Sequence, residues 1–108
     1  LVSLGTLYRR TDRVEDSLEY LLEARDIRAG ALPEGHWFVG ASELELGRSY
    51  EVLERDEEAE RALSEAHRIL LENFGSDDGR TEQARRALQE HYERRGMTAE
   101  AAAITEGA

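Results

Sequence analysis

The 108-residue sequence contains no cysteine, no lysine, one proline and only 6% aromatic residues. Without cysteine there is no disulfide, no thiolate metal ligand and no thiol nucleophile. No apolar run approaches the roughly 20 residues that a membrane-spanning helix needs, and no signal-peptide pattern is visible. We therefore expect no membrane association and a cytoplasmic location. Basic residues are scarce as well: 24 acids stand against 14 bases, for a formal charge of -10. Nucleic-acid binding needs a cationic stripe to displace counterions from phosphates, and docking on an anionic membrane needs the same sign, so neither partner is expected. Every base is arginine, which we read as coding bias. Charged residues make up 35% of the chain, the composition of a solvent-rich helical module without chemistry of its own. The chain starts at Leu1, inside an apolar-periodic segment, and the expectation is a piece of a larger protein.

What the sequence does hold is an internal echo. Shifted by 42 positions, Leu4-Gly5-x-x-Tyr8 falls on Leu46-Gly47-x-x-Tyr50 and then on Leu88-x-x-x-Tyr92. Leu21 falls on Leu63, Ala24 on Ala66 and Ile27 on Ile69, while Ser17, Ala59 and Ala101 form a column of small residues. Each unit reads as two helices by its apolar spacing. The second helices are predicted at about 14–31, 56–73 and 98–105, with Thr98 as an N-cap, and the third unit's first helix at about 80–95. Ala31-Leu32-Pro33-Glu34-Gly35 and Gly75-Ser76-Asp77-Asp78-Gly79 separate the units, because proline cannot continue a helix and glycine releases the backbone. Tight turns are predicted at Thr11-Asp12-Arg13, Glu54-Arg55 and Gly96-Met97. Gly5 and Gly47 sit mid-helix, where glycine costs about 1 kcal/mol against alanine. That cost is tolerable where a neighbouring helix must come close. Ala24, Ala59 and Ala66 would let it do so, and Tyr8, Tyr50 and Tyr92 would fill the gap beside each crossing.

This pattern resembles the tetratricopeptide repeat: Leu4, Gly5 and Tyr8 with Ser17, Leu21 and Ala24, and again Leu46, Gly47 and Tyr50 with Ala59, Leu63 and Ala66. The 42-residue period is similar to the longer kinesin-light-chain variety. The Leu32-Pro33-Glu34-Gly35-His36 and Phe74-Gly75-Ser76-Asp77-Asp78 segments look like degenerate copies of its inter-repeat loop. The loops and closing unit are also similar to the C-terminal repeat arrays of bacterial serine/threonine protein kinases, although no kinase core is present. The resemblance implies an all-α fold, antiparallel helix hairpins stacked as a right-handed superhelix. Repeat 1 spans about 1–35, repeat 2 about 36–78 and a partial terminal repeat about 79–108. It implies a protein-interaction scaffold, not an enzyme, that takes a peptide or helix in the groove lined by the first helices. Two departures stand out. The hairpin glycine survives only as Gly96, with Asp12 and Glu54 in the equivalent places, and glutamate tolerates the left-handed backbone poorly, so the second hairpin is expected to turn differently. The asparagine pair that grips peptide backbones is replaced by Val2 and Ser3, Leu44 and Glu45, and Arg86 and Ala87, so that clamp is not carried over.

Candidate sites follow from this frame. Residues 43–84 hold 13 acids and 5 bases, against 7 and 5 in residues 1–42 and 4 and 4 in residues 85–108. The middle unit is thus an acidic patch, and a protein partner offering a basic or neutral peptide is expected, with Ser3, Glu45, Arg48 and Arg86 as groove residues. The run Asp56-Glu57-Glu58-Glu60 opens a helix, where carboxylates meet free amides. His36, His67 and His91 do not share metal-ligand spacing, so no metal or cofactor is expected. Trp37 and Phe38 read as packing between repeats. Leu1, Val2, Leu4 and Leu7 lack a polar cap. A second copy covering that N-terminal face would make the chain a self-association module, the alternative function.

Overall fold

Helix ends fall where the backbone chemistry requires them. The Leu32 N–H still donates to the Arg28 carbonyl (2.9 Å), but Pro33 has no N–H to continue the ladder, and the first helix ends at Ala31. The computed structural model describes residues 2–107, with side chains over residues 13–104. It contains α1 (Val2–Ala31), α2 (Trp37–Val52), α3 (Asp56–Phe74), α4 (Gly79–Arg94) and α5 (Thr98–Gly107). There is no strand among the described residues.

The helices keep the register of the sequence echo. α2 starts at Trp37 and α4 at Gly79, 42 positions on; α2 ends at Val52 and α4 at Arg94; α3 starts at Asp56 and α5 at Thr98. The turns match bond for bond. Leu53 N–H donates to Ser49 O (3.1 Å) as Arg95 does to His91 O (3.2 Å), and Arg55 to Tyr50 O (2.9 Å) as Met97 does to Tyr92 O (2.8 Å). Glu54 (φ 59°) and Gly96 (φ 72°) both adopt the left-handed conformation between them. The second hairpin therefore turns as the third does, contrary to the expectation drawn from glutamate. The cost of about 1–2 kcal/mol for a non-glycine residue there is absorbed because the helices it joins bury a shared core. The helix starts match too: the side chains of His36 and Asp78 accept the N–H of Phe38 (3.1 Å) and of Arg80 (2.8 Å). α5 begins at Thr98, and the Met97 carbonyl accepts the Ala101 N–H (3.1 Å). Met97, rather than Thr98, therefore stands at the cap.

The turn predicted at Thr11-Asp12-Arg13 is absent, and α1 passes through these residues as one unbroken helix of 30 residues. Nothing at 11–13 is glycine or proline, and each residue kept in the helix retains its i→i−4 hydrogen bond, so straight continuation is locally favourable.

Packing follows chain order: α1 on α2, α2 on α3, α3 on α4, α4 on α5, with α2 also touching α4. The shortest extent, 22 Å, is two helix layers. One core cluster joins Leu44, Leu63, Ala66, Leu70, Ala84, Ala87 and Leu88; a smaller one joins Leu18, Leu46 and Ala62. At Gly47 α2 comes close to α3: a Cβ there would lie 2.5 Å from Leu63 Cδ2. Trp37 packs edge-on to Phe74 with centroids 5.8 Å apart, while Phe38 stacks on Trp37 at 4.2 Å and stays exposed. Polar ties reinforce the stack. Thr81 Oγ1 donates to Leu70 O (3.0 Å), and Asn73 Nδ2 donates to Gly35 O (2.8 Å). Arg28 Nη1 donates to Ser42 Oγ (2.6 Å), joining α1 to α2.

Candidate partner-binding cleft

α2 and α4 occupy equivalent places in successive helix pairs, and an open cleft of about 550 Å³ lies against them. Its walls include Arg48 and Glu51 from α2, and Glu82, Gln83, Arg86 and Glu90 from α4. The apolar stripes of both helices are spent on the core, so polar side chains are left to line it. The structure thus brings Arg48 and Arg86 together on one cleft. Glu45 is exposed on α2 one turn before Arg48 and is not among the wall residues. The side chains of Ser3, Leu4 and Tyr8 lie outside the described residues, and Gly5 falls in the same segment. Of the packing residues, Leu46, Ala59, Leu63, Ala66 and Leu88 are buried. Leu21, Ala24, Tyr50 and Tyr92 are half-buried.

Several wall charges are already engaged. Glu82 pairs with Arg85 and, at 3.4 Å, with Arg86; the Arg85 hydrogen bond holds its carboxyl below the ordinary range. Glu51 pairs with His91 Nδ1 at 3.1 Å and Arg94 at 3.3 Å. Arg48, Gln83 and Glu90 have no side-chain hydrogen bond or ion pair among the described residues, which leaves them open to a ligand.

The sequence reading missed the network beneath. His91 is 0% exposed and ties α4 to α2 through Glu51. Arg94 reaches on to Asp56 (3.2 Å), and Arg95 to Glu60 (3.5 Å) and to His91 Nε2 (3.4 Å). His91 Nδ1 lies against both the Glu51 carboxylate and Arg94 Nη2 (3.2 Å), and its Nε2 against Arg95. The acidic run at the start of α3 therefore serves two ends at once, meeting free amides and holding the arginines at the end of α4. The only signal for this in the sequence was the 40-residue separation of Glu51 from His91, almost one period.

A second hollow, about 440 Å³, is lined by Arg25, Glu43, Tyr50, Glu58, Arg61 and Glu65. Glu43 is buried there against Arg25 (3.3 Å), and burial pushes its carboxyl up despite that arginine. On α3, burial, with Arg85 nearby, pushes the His67 imidazole down. No group of three or more His, Asp or Glu side chains among the described residues could hold a metal ion. No helix among them is long and apolar enough to cross a membrane. No family model, no curated protein and no solved structure matches the chain.

Proposed function

We propose that the chain is a tetratricopeptide-like interaction module, its helix pairs stacked as a right-handed superhelix, which holds a peptide or helix of a partner protein along α2 and α4. The observation that carries this reading is the cleft against two equivalent helices of successive pairs, with Arg48, Gln83 and Glu90 unengaged on its walls. Because the cleft is held by a buried core and by the Glu51–His91 tie, it exists before the ligand arrives. A partner then binds without first ordering the receptor. Glu90 on its wall and Glu45, exposed one turn before Arg48 within the acidic middle unit, favour a basic segment.

Fluorescence anisotropy with a panel of labelled basic and acidic peptides tests this. Basic peptides are expected to bind more tightly, and Glu45→Arg with Glu90→Arg to lose most of that preference, while Arg48→Glu strengthens it. Equal affinities across panel and variants overturn the charge-selective form. The absence of binding by any peptide overturns the groove.

A further inference from the structure

We propose that two copies of this chain dimerise by exchanging residues 2–10, the N-terminal arm of each α1 lying on the stem (residues 14–31) of the other. This goes beyond the cleft reading and stands on different residues. α1 runs straight through residues 11–13, whereas the chain reverses at the two equivalent places, around Glu54 and Gly96. The arm nevertheless carries first-helix sequence, Leu4-Gly5-x-x-Tyr8 for Leu46-Gly47-x-x-Tyr50 of α2. The stem carries second-helix sequence, Leu21 and Ala24 for Leu63 and Ala66 of α3. In α2 and α3 these two surfaces press together, Gly47 against Leu63. In α1 they lie on one rod and cannot meet within a single copy.

The stem shows the consequence. Tyr20 is 75% exposed and Ile27 62%, more than any other large apolar side chain among the described residues. Their counterparts in α3, Ala62 and Ile69, are 5% and 2% exposed. Carrying the α2–α3 register over to two antiparallel α1 helices sets Gly5 of one copy opposite Leu21 of the other, and Arg10 opposite Asp16. The two-fold axis then passes Arg13, within the unbroken segment. The arm covers Tyr20 and Ala24, and Ile27 lies just past its end. Both halves of the contact are the same, so the assembly closes at two copies.

Charge selects the same occupant. The arm's only charged residues are Arg9 and Arg10, and residues 14–24 hold Glu15, Asp16, Glu19 and Glu23 with no base. Each arm-on-stem contact joins a basic segment to an acidic one.

Sedimentation velocity of the 108-residue chain over a wide concentration range, in low and high salt, tests the exchange. The expected result is a reversible dimer of twice the 12.2 kDa chain mass, weakened by salt. Arg13→Cys places the chain's sole thiol on the two-fold axis, and mild oxidation is expected to convert that variant to a disulfide-linked dimer. Asp12→Gly gives residue 12 the backbone freedom that Gly96 uses in its turn. It is expected to let the arm fold back on its own stem and to weaken dimerisation at least tenfold, with helical circular dichroism retained. A chain that is monomeric at every concentration overturns the proposal. So does a dimer that Arg13→Cys fails to cross-link, or one that a folded Asp12→Gly leaves equally stable.

Discussion

Gly47→Ala puts one methyl group into a close approach between two helices, and two opposing magnitudes decide the result. In an isolated helix the change is favourable by about 1 kcal/mol, since alanine loses less backbone freedom than glycine. In this chain the added Cβ would lie 2.5 Å from Leu63 Cδ2, 2.6 Å from its Cγ and 3.3 Å from its backbone nitrogen. Leu63 is fully buried, and its Cγ and N cannot swing aside as a flexible chain end could. α2 and α3 must therefore separate. Overpacking of this kind costs about 1–3 kcal/mol, and contact with backbone places it at the upper end, for a net loss of about 2 kcal/mol. At about 4 °C per kcal/mol in a domain of this size, Tm falls by about 8 °C. Gly30→Ala is the matching control: Gly30 is also helical, but its added Cβ meets nothing within 4 Å. Helix propensity acts there alone, and the variant is expected to gain up to about 1 kcal/mol. Urea unfolding followed by circular dichroism measures both. If Gly47→Ala is as stable as the parent chain, the close approach of α2 to α3 is not what holds glycine at this position, and the packing account of the repeat fails.

Two further expectations concern titratable groups and one a buried pair. A double-mutant cycle between His91→Ala and Glu51→Ala is expected to show about 1 kcal/mol or more of coupling. Additive losses in chemical denaturation would mean that the tie between α2 and α4 contributes nothing. His67, pushed below its ordinary value near 6.5 by burial, binds its proton less readily in the folded chain. Its contribution is full above that value and declines as pH falls through it, so His67→Gln should flatten the stability profile below pH 6.5. A parent profile already flat there rejects the assignment. Glu43 has the opposite sign: burial raises it from 4.5, so its contribution is full below that value and is lost as pH rises. Glu43→Gln, which keeps a hydrogen-bond partner for Arg25, is expected to be as stable at pH 7 as the parent or more so; a clear loss in thermal melts would contradict the burial argument.

The helix hairpins of residues 37–107 were legible because their signals are local. Pro33 and the glycine-rich loop at 75–79 interrupt backbone hydrogen bonding wherever they occur. The 42-residue echo of Leu-Gly-x-x-Tyr marks the face on which each pair must close. Of the cleft, Arg48 and Arg86 could be named in advance, since both lie on the polar side of a first helix. The tie between Glu51 and the buried His91 could not, because burial of a histidine depends on which helix lands on it, and that contact joins two helix pairs. The predicted turn at residues 11–13 failed for a related reason. The same pattern of side chains can be satisfied by a bend within one copy or by a rod meeting another surface, and residues 11–13 alone do not choose between them.

Amino-acid order by itself determined the helices of residues 37–107, their period and their apolar faces, since each is set by neighbours within a few residues. Which faces meet, which charges are spent on one another, and where the backbone accepts a left-handed glutamate were decided only by tertiary packing, because those energies exist only once distant segments exclude water together.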